Sequence, residues 1–214
     1  MLAEYRTVAQ EAEITLVEKK SKFIARIKPV ESREEAEAFV EEVRKIHWSA
    51  THNVPAYIIG INQEVQKYSD DGEPSGTAGL PVLEVLKANE VVNAAIVVAR
   101  YFGGILLGRG GLVRAYGGAA REALTTAGIV RMVPAQEAAI TVDYVHGGRV
   151  QNELLSRNVS LSGIEYLERI TFRVLLMPGE REALRQLIQE ITANAFTWQD
   201  GREVYRAIPL KAEK

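Results

Sequence analysis

Cysteine is absent from this 214-residue chain. That excludes disulfides, a thiol nucleophile and cysteine-ligated zinc or iron–sulfur clusters. Histidine is nearly as scarce: His47, His52 and His146 leave little for a metal centre, and neither a metal nor a cofactor is expected. Excess charge of either sign is also missing. Lys plus Arg is 26 and Asp plus Glu is 28, a net −2, which excludes a uniformly basic coat but not a local basic patch. Long apolar runs are lacking too. The most apolar stretch, Val91–Ala99, is broken by Asn93 and is far too short to span a bilayer. The opening residues, MLAEYRTVAQEAE, hold Glu4 and Arg6 and no apolar segment of a secretory signal, so the cytoplasm is the expected compartment.

What is present reads as an ordinary globular chain, 47% apolar and 25% charged. In the second half, Gln136–Val145 alternates with Ala138, Ile140, Val142 and Tyr144 on one face. A helix follows over His146–Asn158. Val159–Glu168 and Thr171–Met177 read as strands. Glu180–Ala195 places Ala183, Leu184, Leu187, Ile188 and Ile191 on one helical stripe, and Phe196–Leu210 supplies the last strand. The order β-α-β-β-α-β is the ferredoxin-like pattern.

The first half is a different unit. Ile14–Val17 and Lys22–Lys28 read as strands, and Ser32 with Glu35 makes a capping box before a helix with Ala36, Phe39, Val40 and Val43 inward. Val54–Ile61 and Val65–Ser69 read as a strand pair, then a loop over Asp70–Gly79, a helix over Pro81–Ala88 and a buried strand over Val91–Ala99. A glycine-rich turn leads to a helix over Gly111–Ala127, which Gly128 is placed to end. The boundary is expected at Val133-Pro134, giving domains 1–133 and 134–214 of an α+β chain. Charge divides evenly between them, 16 basic and 17 acidic residues in the first, 10 and 11 in the second.

Two segments stand apart. One is Asp70-Asp71-Gly72-Glu73-Pro74-Ser75-Gly76-Thr77-Ala78-Gly79; the other runs from Arg100 to Gly118. Seven of the 17 glycines lie between 103 and 118, and from Val91 to Arg121 there are four arginines and no acid. A strand, glycine loop and helix start offers free amides and a dipole that favours an anion by roughly 0.3–1 kcal/mol. Gly103, Gly104, Gly108, Gly110 and Gly111 would allow close approach, and Arg100, Arg109 and Arg114, with Lys20 and Lys22, would contact phosphates. Simple turn chemistry explains the loop glycines as well. The mid-helix pair Gly117 and Gly118 costs about 1 kcal/mol per residue relative to alanine and is expected to be offset by close helix–sheet packing ahead of a ligand or strand laid across the bare backbone.

Familiar nucleotide motifs fail here. Gly108-Arg109-Gly110-Gly111-Leu112-Val113 lacks the third glycine of the dinucleotide fingerprint. Gly103 to Gly108 has the Walker spacing, but Arg109 and Gly110 replace its Lys and Ser/Thr. Asp70, Asp71 and Glu73 suit a divalent cation by residue type, but they suit an Asx-bonded turn better, with Thr77 as N-cap of the next helix. Ser75 has no preceding strand or evident histidine base, so it is not expected to act as a nucleophile. His47, His52 and His146 are expected in surface or packing roles, and Trp48 and Trp198 as packing anchors rather than stacking platforms.

DDGEPSGTAG followed by RYFGGILLGRGGLVRAYGGA resembles the signature of the YigZ/IMPACT family. Lys20-Ser21-Lys22-Phe23-Ile24 and Ala50-Thr51-His52-Asn53 resemble its N-terminal pieces, so the likeness covers residues 18–130. It implies a first domain with a βαβ fold similar to domain IV of elongation factor G. It implies a second, ferredoxin-like domain similar to domain V of that factor. Eukaryotic relatives regulate translation by binding a ribosome-associated activator of an initiation-factor kinase through an added N-terminal domain, so that partner is not carried over here. The expectation is a non-enzymatic protein associated with RNA or the ribosome. The alternatives are a small-molecule enzyme or sensor holding a phosphorylated ligand at the glycine loop, and a protein-docking module.

Overall fold

The structure is a computed structural model that describes residues 3–210, and by internal contacts the chain divides into two compact units. Among the described residues, one unit holds 5–131 and 207–210, and the other holds 3–4 and 132–206. The first unit begins with β1 (Tyr5–Val8), β2 (Ala12–Glu18), β3 (Ser21–Pro29) and α1 (Arg33–Ile46). It continues through β4 (His52–Ile59), β5 (Val65–Tyr68), α2 (Gly79–Ala88), β6 (Ala94–Tyr101) and α3 (Gly108–Ala127). Strands pair in the order β2-β3-β6-β4-β5, and every pairing is antiparallel.

β6 is the central strand and is covered on both faces, which is why it reads as an unbroken apolar run. On one face Ile96 and Val98 pack with Phe23, Ala25 and Ile27 of β3 beneath α2 and α3. On the other, Ala95 and Val97 meet Phe39, Val40 and Val43 of α1. α1 is set by its ends. The Ser32 side chain accepts from the Glu35 amide at 3.1 Å, a cap worth about 1 kcal/mol. Glu35 closes the motif one residue earlier than expected, accepting from the Glu31 amide at 2.8 Å.

α3 begins three residues before the expected Gly111, and it ends at Gly128, whose φ is 71°. Close packing does not require its internal glycines, since a Cβ at either would meet its neighbours at ordinary contact distance. A Cβ on Gly117 would lie 3.9 Å from Pro81 of α2, and one on Gly118 would lie 3.6 Å from the Leu16 side chain of β2.

The second unit follows with β7 (Ile129–Val142), α4 (Tyr144–Ser156), β8 (Ser160–Tyr166), β9 (Ile170–Leu176), α5 (Glu180–Thr192) and β10 (Phe196–Pro209). β7 and β10 run past the division between units at either end, so Val133 and Pro134 lie inside a strand rather than in a linker. β7 pairs with β9 and with β10, and β9 with β8, as the β-α-β-β-α-β order requires. Ile140 stands opposite Phe172 and Ala138 opposite Val174. These residues form one core with Val150 and Leu154 of α4 and Leu184 and Ile188 of α5. Tyr144 is not on that strand face: β7 stops at Val142, and Tyr144 opens α4 as an exposed residue. Ala183 is likewise exposed, so the inward stripe of α5 is narrower than its sequence suggests.

Candidate functional site

β6 ends beside two strand beginnings. Lys22 of β3 lies opposite Tyr101, and Phe23 of β3 and His52 of β4 both lie opposite Arg100. The β2–β3 turn, the α1–β4 turn and the glycine run after β6 therefore meet at one end of the sheet. The loop before α2 joins them through Glu73.

Arg100 is not at the surface, as a phosphate contact requires, but 5% exposed. Its Nη1 donates to Oε1 of Glu73, which is itself buried, and its Nη2 reaches Ser21 Oγ at 3.5 Å. The guanidinium carbon lies 5.5 Å from the Phe23 ring centroid and 5.6 Å from that of Phe102. Tyr116 donates to the same Glu73 oxygen at 2.8 Å. Burial, and then the Glu73 hydrogen bond, push the Tyr116 hydroxyl far above the usual phenol range, so it remains a donor. This cluster fixes the loop to the sheet end and to α3. The stretch from Val91 to Arg121 lacks an acid in sequence, but the fold supplies Glu73 from 27 residues upstream.

The three carboxylates of the loop have separate partners. Asp70 accepts the amides of Gly76 (2.8 Å), Ala78 (3.1 Å) and Gly79 (2.9 Å). Burial acts to raise its pKa, but the amides of Gly76, Gly79 and Ala78 and the charge of Arg109 outweigh it and hold it below the ordinary aspartate value. Asp71 accepts the Asn53 amide at 2.6 Å, with Arg44 at 3.8 Å. The Asp71 carbonyl accepts from His52 Nδ1 at 2.7 Å, which leaves His52 Nε2 3.8 Å from Glu73. Thr77 does not cap α2. Its hydroxyl donates to the Pro74 carbonyl at 2.6 Å, the N-cap is Ala78, and Asp70 holds the first amides from outside the helix.

The glycines divide by role. A Cβ on Gly103 would lie 2.1 Å from the Lys20 carbonyl carbon, so this glycine is required by the β2–β3 turn crossing it. That turn carries Lys19 and Lys20 at φ 44° and 68°, two consecutive left-handed residues of a tight hairpin. The Gly103 amide donates to Ser21 Oγ at 3.2 Å. Gly104 and Gly108 have φ of 82° and 69° with open space where a Cβ would stand, so they serve backbone conformation. Gly110 and Gly111 lie in the first turn of α3, whose N-cap Leu107 makes no side-chain bond and which holds no acid.

The exposed cations around this end divide into paired and unpaired ones. Arg6, Arg26, Arg33, Arg44 and Arg100 each pair with a carboxylate. Among the described residues Arg109, Arg114 and Arg121 form no ion pair, nor do Lys19, Lys20 and Lys22. Arg109 donates to the Ser75 carbonyl at 2.8 Å, tying α3 to the acidic loop. Arg114 lines a hollow of about 200 Å³ with Leu16, Glu18, Lys19, Leu107, Gly111 and Ala115.

Two aromatic residues stand exposed at this end, one of them against the sequence reading. Trp48 is no packing anchor: it is 81% exposed in the α1–β4 turn. Phe102 is 47% exposed, with its amide donating to Thr51 Oγ1 of that turn at 3.2 Å. Beside Trp48, buried His47 meets the Tyr101 hydroxyl at 3.0 Å through Nδ1, and burial lowers its pKa. Trp198, by contrast, packs against the core of the second unit.

Comparisons with known proteins agree with this architecture. Residues 19–124 match the Impact N-terminal domain, and 140–195 match a domain of unknown function, DUF1949. The chain is 40% identical over 205 residues to the IMPACT family member YvyE of Bacillus subtilis, covering 96% of this chain and 94% of that protein. It is 44% identical over 137 residues to the IMPACT family member YigZ of Escherichia coli, covering 62% of this chain and 67% of that one. Protein IMPACT of Mus musculus is 37% identical over 101 residues, 44% of this chain and 31% of its own length. A crystal structure of a hypothetical protein aligns over 100% of both chains with a TM-score of 0.60 at 29% identity. With end-to-end similarity to YvyE and both domains matched in order, the chain belongs to the IMPACT family.

Proposed function

We propose that the protein is a non-enzymatic, RNA- or ribosome-associated factor that modulates translation in the cytoplasm. On this reading, RNA phosphates dock at the sheet end framed by the β2–β3 turn and the start of α3. The observation that carries it is the set of exposed, ion-pair-free cations Lys19, Lys20, Lys22, Arg109 and Arg114 around a helix start without an acid. A cation without an ion pair is open to an incoming phosphate, with Arg109 also acting on Asp70, whereas Arg100 is already paired with Glu73. Inside the unit Glu73 is held by Arg100 and Tyr116, while Arg100 Nε, His47 Nε2 and Asn53 Oδ1 are buried without a hydrogen-bond partner among the described residues. The grip on Glu73 favours a scaffolding role for that carboxylate.

Two to four phosphate contacts give a log–log salt slope of about −1.4 to −3 with single-strand coefficients. The double variant Arg109→Ala with Arg114→Ala weakens cosedimentation with ribosomes at low salt and flattens that slope while leaving the fold intact. Unchanged cosedimentation of the double variant would refute the proposal. The hollow beside Lys19, Gly111 and Arg114 favours a second reading, a phosphorylated small molecule. A thermal-shift screen with nucleotides and sugar phosphates tests it, since a ligand at a hundred times its Kd stabilises by about 2.7 kcal/mol.

A further inference from the structure

We infer that this face takes RNA as a single strand, with unstacked bases laid on Trp48 and Phe102 and the backbone following the neighbouring lysines and arginines. The inference rests on the RNA reading above and narrows it to one form of the nucleic acid. Three observations carry it. Trp48 leaves most of its indole in water, an expensive place for a large apolar ring that could have packed. Phe102 is half exposed, and a buried guanidinium on one side of its ring holds it in place. The two stand at the same end of the sheet as the free cations. Thr51, three residues after Trp48, donates its amide to the Arg100 carbonyl at 2.8 Å and accepts the Phe102 amide at 3.2 Å. Lys22 stands opposite Tyr101, the residue before Phe102. Exposed rings beside a cationic track suit single strands, because every base has a stacking face and a duplex hides it. Of the carboxylates nearby, Asp70, Asp71 and Glu73 are engaged with backbone amides, Asn53, Arg44 and Arg100, and exposed Glu18 stands beside Lys19 at the edge of the track.

The test uses the full chain with Trp198→Phe, so that Trp48 alone reports fluorescence. Oligo(U) of about 12 nucleotides, within the range one binding surface covers, is titrated beside an RNA duplex of equal length and beside heparin. The expected result is quenching of Trp48 by oligo(U), weaker binding of the duplex without quenching, and salt-dependent binding of heparin without quenching. Trp48→Ala lowers oligo(U) affinity about 5- to 140-fold, the range of one stacked base, and Trp48→Phe restores most of it. Trp48 is solvent-exposed, so its loss does not unfold the chain. Salt-dependent binding of oligo(U) with no quenching and no loss in Trp48→Ala overturns the stacking inference and leaves the cationic site standing. Binding tighter than that of oligo(U) by the duplex, or by an oligo(dT) of the same length titrated alongside, overturns single-stranded RNA as the ligand. Failure of oligo(U), duplex and heparin alike to bind overturns the RNA reading itself.

Discussion

Replacing Glu73 by alanine removes the carboxylate that, among the described residues, pairs with the Arg100 guanidinium inside the first unit. The two side chains are 4% and 6% exposed, so solvent screening does little for the charge left behind. Arg100 Nε already has no hydrogen-bond partner, and its remaining polar contact, to Ser21 Oγ, is long at 3.5 Å. The Tyr116 hydroxyl loses its acceptor at the same time. Breaking a buried pair from one side costs about 3–5 kcal/mol, because an uncompensated charge remains buried. For a unit of this size that lowers the melting temperature by about 6–20 °C. Urea unfolding followed by circular dichroism measures the loss directly. The double variant Glu73→Leu with Arg100→Met carries no buried charge and should recover most of the stability. A loss below about 1 kcal/mol in Glu73→Ala, the value of an exposed pair, would refute the claim that this pair is structural.

Other substitutions test the loop geometry. Gly103→Ala drives a Cβ into the Lys20 backbone and should cost about 1–3 kcal/mol, whereas Gly110→Ala meets nothing closer than 3.6 Å and should gain up to about 1 kcal/mol in urea unfolding. Asp70 has a folded pKa below its unfolded value, so its contribution is full above the unfolded value of 3.8 and is lost as pH falls through the folded one. Acid titration of unfolding should therefore show a steeper loss below about pH 4 for the native chain than for Asp70→Asn. Arg121→Ala removes a cation two helical turns beyond Arg114, and it should weaken RNA binding in a filter assay less than Arg114→Ala does.

Much of the fold is legible along the chain because it depends on near neighbours. Ser32 and Glu35 announce α1, Gly128 ends α3, and the apolar run before Arg100 marks a strand covered on both faces. β1 lacks enough residues to show a period and stays hidden in the sequence. The acidic loop is half legible. Residue type points to a turn, but that Asp70 rather than Thr77 holds the start of α2 depends on how the loop folds back.

The sequence by itself determined the order of elements in both halves apart from β1, the concentration of glycine and arginine after β6, and the family likeness. The first two rest on periodicity, turn chemistry and composition, all short-range properties, and the likeness rests on the resemblance of two motif segments. The tertiary structure decided which charges are available. It buried Arg100 against Glu73, left Arg109 and Arg114 without ion pairs, and turned Trp48 outward beside Phe102. A count of charges along a chain cannot separate these cases, because burial and pairing are set by residues far apart in sequence. The same arginine is a ligand contact or a structural strut depending on what the sheet places opposite it.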